Sequence, residues 1–333
     1  MAVVLLAAGL SATSPALANG EVNVYSYRQP FLIKPMFDAF TRETGIEVNV
    51  VFAKKGLVER LEREGVNSPA DLIFTVDIGR LTDATEAGVT QAVVSDRLLA
   101  NIPSQYRHPE GHWYGLTTRG RLLVTSKDRV RPGEISTYEE LADPKWKGRV
   151  CTRSAKHAYM VALVASMIAH HGEAKAQAWL HGVKANLAQK AQGNDRSQVK
   201  AIKEGVCDVA VINNYYMGKM LNDEEQSEWA NAVNIVFPNQ ADRGTHVNVS
   251  GVAMTKAAPH KENALALMEF LSDGLAQQMY AEQNFEYPVK PGVPWSGLLA
   301  SFGKFKADDL ALVEIASHRK TAIQLADKVD YDE

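Results

Sequence analysis

Between residues 21 and 87 the apolar pattern changes period from two to 3.6 three times over. Glu21–Ser26 alternates as a strand. Pro35–Thr44 carries Met36, Phe37 and Phe40 at helical spacing and stops at Gly45. Ile46–Phe52 is a second strand and Leu57–Glu64 a second helix. Asp71–Phe74 is a third strand and Ile78–Ala87 a third helix. Strands separated by helices of this length join by crossovers rather than hairpins. The expected fold class is therefore α/β, a mostly parallel sheet with helices on its faces. The middle of the chain repeats the pattern. Arg149–Thr152 and Asp208–Asn213 read as strands; His157–His170, Ala174–Ala185 and Gln198–Glu204 read as helices. Two further helices are expected at Lys261–Gln283 and Asp308–Lys328. Two α/β lobes suit a chain of 333 residues. Arg121–Thr125 and Val247–Met254 are the extended segments that would cross between them as hinge strands. The expected lobes are 19–121 with 247–295, and 122–246 with 296–333. Such a clamshell binds its ligand in the cleft.

Residues 1–18 form an apolar run followed by the small-x-small pattern Ala16-Leu17-Ala18, a signal peptide cut after Ala18. No Lys or Arg precedes the run, as a complete signal peptide would have. No later apolar run is long enough to span a bilayer, so export without membrane insertion is expected. The two cysteines, Cys151 and Cys207, each lie in a strand-like segment. In an oxidising compartment they are expected to be adjacent and bonded, the alternative being two separate buried thiols. The net charge, 36 − 39 = −3, gives no reason to expect nucleic acid.

Enzyme signatures are missing. There is no P-loop, no Gly-x-Gly-x-x-Gly after the first strand, no Gly-x-Ser-x-Gly and no His-Glu-x-x-His. His108-Pro-Glu-Gly-His112 reads as a surface turn, and His170-His171 as the cationic end of a helix. The informative run is Asn213-Asn214-Tyr215-Tyr216, directly after a strand. Open α/β sheets bind ligands at such strand ends. Neighbouring strand residues point to opposite faces, so the phenols converge only if the chain leaves strand geometry here. Taken alone, the pair reads more readily as core packing than as a ligand pair. Tyr159 follows another strand end, Arg28 follows the first strand, and Arg119 lies beside the first crossing. Trp113 and Trp146 read as packing residues.

With Tyr25-Ser26-Tyr27-Arg28, Lys145-Trp146-Lys147-Gly148 and Arg153-Ser154, these features resemble the ferric-iron-binding periplasmic proteins, the binding components of bacterial iron ABC importers. The resemblance covers essentially the whole mature chain. It implies the two-lobed clamshell of periplasmic binding proteins, with Tyr159, Tyr215 and Tyr216 as phenolate ligands of Fe3+. Many members add a His-Tyr pair after the first arginine, where this chain has Gln29 and Pro30. It therefore resembles the three-tyrosine subgroup, in which carbonate or bicarbonate completes the site. Arg28 and Arg119 match that subgroup's anion holders. Tyr27 is either a further ligand or an outer donor. Ser154, Asn194 and Asn213 match positions that hold the anion or brace the tyrosines; each also reads as a cap or turn residue. The resemblance further implies a monomeric, non-enzymatic periplasmic protein that hands iron to an inner-membrane ABC permease. The rival readings are a clamshell for a polyamine, thiamine or an organic anion, and an enzyme on the same fold.

Overall fold

The structure, a computed structural model, describes residues 20–333, so the expected signal peptide lies outside the described residues. The first half opens with β1 (Gly20–Ser26), α1 (Pro30–Thr44), β2 (Ile46–Phe52), α2 (Leu57–Glu64), β3 (Leu72–Thr75), α3 (Ile78–Glu86) and α4 (Asp96–Asn101). Helix α1 begins at Pro30, whose missing N–H costs nothing at a first helical position. It ends at Gly45, where φ is 75° and the amide donates to the Thr41 carbonyl. The 13-residue β4 (Tyr114–Ser126) leads to the second half. That half contains β5 (Val150–Cys151), α5 (Ala158–His171), α6 (Glu173–Ala185), α7 (Asp195–Lys203), β6 (Val209–Asn213), α8 (Asn214–Leu221), α9 (Ser227–Asn231) and β7 (Val233–Val236). The chain then returns through β8 (Val247–Met254), α10 (Lys261–Ser272), α11 (Gly274–Met279) and β9 (Tyr287–Pro288), and closes with α12 (Gly297–Ser301), α13 (Leu312–Ser317) and α14 (Arg319–Lys328).

The sheet runs β2-β1-β3-β8-β4-β6-β5. It is mixed, not mostly parallel. β1 pairs in parallel with β2 and β3, and β5 with β6, as the β-α alternation requires. The ladders through β4 and β8 are antiparallel, because these strands run back and forth between the halves instead of belonging to crossover units. Strand β4 changes partner within itself. Tyr114–Gly120 pairs with β8, and Arg121–Thr125 pairs with β6. Arg119 and Arg121 thus straddle the junction between the halves.

The Cys151–Cys207 disulfide is formed, joining β5 to the segment before β6. Trp113 and Trp146 are buried packing residues. Helix α1 starts at Pro30, five residues before the expected Pro35, and the two long helices expected after residue 260 are broken. The stretch 261–283 is interrupted at Asp273, an extended residue whose carboxylate accepts from the Gly274 amide and starts α11. Asp308 precedes the last helices; its carboxylate is held by His170 and the Leu310 amide. Among the described residues no helix is long and apolar enough to cross a membrane.

Candidate metal centre

Strand β6 ends at Asn213 with an extended backbone, and α8 begins at the next residue. The chain leaves strand geometry at the point where convergence requires it. Tyr215 and Tyr216 fall in the first turn of α8, with ring centroids 4.4 Å apart. Tyr159 lies in the first turn of α5, behind the cap formed by His157, whose Nδ1 accepts from the Tyr159 amide. The Tyr215 hydroxyl donates to the Tyr159 hydroxyl at 3.0 Å. The Asn213 amide nitrogen donates to the Tyr215 oxygen at 3.4 Å. Two phenols 56 positions apart in sequence therefore meet, with the third ring tilted against Tyr215 beside them.

Two buried basic units frame the phenols. In the first, Arg28 makes a bidentate pair with Glu286, at 2.8 and 3.2 Å. Arg28 and Arg119 each donate to the Ser250 hydroxyl at 2.7 Å, and Thr117 donates to Glu286. In the second, Asp195 accepts from Arg121 at 2.6 Å and from Arg153 at 2.9 Å. The guanidinium groups of Arg121 and Arg153 lie over the Tyr159 ring, 5.8 and 5.1 Å from its centroid. Arg119, Arg121, Tyr159, Asn213, His246 and Asn248 enclose a cavity of about 10 Å³. Nε and Nη2 of both Arg119 and Arg121 are buried without a partner among the described residues. The walls thus offer donors in excess of acceptors.

Burial pushes the Tyr215 phenol well above its usual range; Tyr159 and Tyr216 push it further and Arg119 opposes them. Burial also raises Tyr216. Burial alone would raise the Glu286 carboxyl, but Arg28 and Arg119 hold it below the ordinary range. At neutral pH Tyr215 and Tyr216 are protonated and Glu286 is charged.

The other residues picked out by sequence are placed as follows. Tyr27 is turned to α2, its oxygen accepting from the amides of Leu57 and Val58 at 2.9 and 3.1 Å. The Ser154 hydroxyl donates to Asp332 and accepts from the Lys156 amide. Asn194 caps α7, accepting from the amides of Arg196 and Ser197. Asn213 bridges Arg121 and Tyr215. His170 and His171 are taken up by Asp308 and Glu139. Among the described residues no three His, Cys, Asp or Glu side chains converge as metal ligands. Sequence reasoning missed Arg121, Asp195 and Glu286. The spacing Arg119-Gly120-Arg121 was a visible signal for the first, since residues two apart on a strand share a face.

A family model described as bacterial extracellular solute-binding protein matches residues 67–298. The chain belongs to this family. Iron uptake protein A1 of Synechocystis is 47% identical over 295 residues, 88% of this chain and 82% of that protein. Among solved structures, ferric iron-binding protein A of Mannheimia haemolytica, in an open conformation, is 51% identical. Its TM-score is 0.91, over 94% of this chain and 99% of that one. A Trichodesmium protein (IdiA, FutA) in complex with iron and citrate ligands is 41% identical. Its TM-score is also 0.91, over 94% of this chain and 100% of that one. This solute-binding protein therefore has the α/β fold of a two-lobed periplasmic binding protein with hinge strands.

Proposed function

We propose that this solute-binding protein captures Fe3+ in the cleft between its lobes, 19–121 with 247–295 and 122–246 with 296–333. Tyr159, Tyr215 and Tyr216 would be the phenolate ligands. The observation that carries the reading is the meeting of the three tyrosines within a frame of arginines. Fe3+ is hard and takes anionic oxygen donors. Each phenol gives up its proton on coordination, so binding releases protons and weakens as pH falls. The identities of the iron-binding relatives point the same way.

Charge arithmetic supports an accompanying anion. Four guanidinium groups and two carboxylates are hydrogen-bonded into the frame, leaving 4 − 2 = +2. Arg196 and Lys219, over the Tyr216 and Tyr215 rings, add to this excess. Three phenolates cancel Fe3+, so carbonate or bicarbonate would offset part of the positive charge that remains. The buried Nε–Nη2 edge of Arg119 suits a bidentate oxyanion. Arg28 already spends both terminal nitrogens on Glu286 and Ser250, so its part in holding the anion is to orient Arg119 through Ser250. We further propose export to the periplasm by the N-terminal signal peptide, action as a monomer without catalysis, and delivery to an inner-membrane ABC permease.

The test is a visible absorption spectrum of the purified protein before and after ferric citrate with bicarbonate. A broad phenolate-to-iron band is expected, lost or shifted in Tyr216→Phe together with most of the affinity. Absence of the band at every pH near neutral would sink the reading and return the phenols to core packing.

A further inference from the structure

Asp195 is completely buried, yet its hydrogen bonds go to no tyrosine. It is the first residue of α7, where the helix N-terminus favours a negative charge. Its carboxylate accepts three hydrogen bonds: from Arg121 at 2.6 Å, from Arg153 at 2.9 Å and from the Asn213 amide at 2.8 Å. Each partner continues to a phenol. Arg121 donates to the Asn213 side chain at 3.1 Å, which donates to Tyr215; Tyr215 donates to Tyr159. Arg153 lies over the ring of Tyr159. The contacts close a circuit: Asp195, Arg121, Asn213, Tyr215, Tyr159, Arg153 and back to Asp195. Five segments of the chain meet in it: β4, the loop before α5, α5 itself, the start of α7, and β6 with α8.

We propose that Asp195 is the positioning residue of the phenol cluster. It fixes Tyr159 through the two arginines and Tyr215 through Asn213, so that ligands from separate elements are presented in one arrangement. The physical reason is the cost of the alternatives. Two buried guanidinium groups without a shared counter-charge would repel each other and seek water. Arg121 is enclosed and cannot reach it. A single carboxylate with an arginine on each oxygen restricts how both guanidinium groups lie over the Tyr159 ring. The link to metal capture rests on the iron reading above; the link to the tyrosines does not.

The experiment compares the wild type with Asp195→Asn and Arg153→Gln. Asp208→Asn is the control. Asp208 also bridges two arginines, Arg129 and Arg149, but they serve no phenol. Ring-labelled tyrosine NMR of iron-free protein reads the arrangement directly, and titration with ferric citrate reads affinity. Asp195→Asn and Arg153→Gln are expected to shift the Tyr159 and Tyr215 resonances and lower iron affinity about 10- to 100-fold, the usual effect of losing an outer partner of a metal ligand. Asp208→Asn should change neither. Wild-type resonances and affinity in Asp195→Asn overturn the proposal. So does an equal disturbance in Asp208→Asn, which would make Asp195 a general stabiliser. If Asp195→Asn does not fold, Arg153→Gln decides by the same readouts. If the wild type gives no iron band, the iron reading falls alone and the tyrosine resonances still decide the positioning role.

Discussion

Arg28 and Arg119 differ in what they have left to give. Both are buried and share Ser250, but Arg28 is committed to Glu286 while one edge of Arg119 is unpartnered. Their substitutions should therefore fail differently. Arg28→Gln strands the Glu286 charge in the interior, which costs about 3–5 kcal/mol, and adding Glu286→Gln should recover most of it. Urea denaturation of the single and double variants measures this. A single variant as stable as wild type would show that Glu286 takes up a proton instead. Arg119→Gln should lose the dependence of iron affinity on bicarbonate; retained dependence would move the anion elsewhere. The phenols were legible in the sequence because all three follow strand ends and match the family resemblance; the adjacent pair alone favoured core packing. The frame was not. Its ion pairs join residues 74 and 258 positions apart, and nothing local in Asp195 or Glu286 marks a partner at that distance.

At the scale of elements, local chemistry decided what could be read. The ranges expected for β2 and α2 are those observed, since Gly45 marks the start of β2 and Gly56 and Gly65 bracket α2. Helix α7 begins three residues before the expected Gln198, because Asn194 and Ser197 form a reciprocal cap that polar side chains hide from a search for apolar period. The antiparallel ladders of β4 and β8 were hidden for a different reason. A strand's residues record which face is buried, not the direction of its neighbour. The disulfide was legible from two strand-like contexts and the expectation of export. It closes a separation of 56 residues. Replacing both cysteines by serine should lower unfolding free energy by about 4 kcal/mol in the chain-entropy model, read from denaturant melts. No loss would mean that the β5–β6 pairing already confines the unfolded loop.

The whole molecule has an acid response that can be derived from one residue at the crossing into β8. His246 is fully enclosed, and its Nδ1 has no partner among the described residues. Burial first, then Arg121, His170, Arg243 and Arg119, hold its pKa down to about 3, against the ordinary 6.5. Between those values the unfolded chain carries a proton on this ring and the folded chain does not. Unfolding therefore takes up a proton, and stability rises with pH across the window. The contribution is complete above 6.5 and is lost as pH falls toward 3. His157, lowered to about 4 by burial and then by Arg153 and Arg121, adds a second proton in the upper part of the same range. Glu139 and Asp273, each lowered to about 2, join only below the ordinary carboxylate range. Acid destabilisation should thus begin near pH 6.5, before Glu139 and Asp273 contribute. One proton corresponds to about 1.4 kcal/mol per pH unit. His108, lowered by burial and then by His112, adds to the same response. The iron-free wild type should therefore reach at least about twice that slope between pH 6 and 5, and His246→Gln should be shallower than wild type by about one proton's worth. Denaturant melts at stepped pH measure the difference. Equal slopes would mean that the folded interior admits a proton at His246, and that the positive frame around the phenols is open to solvent from behind.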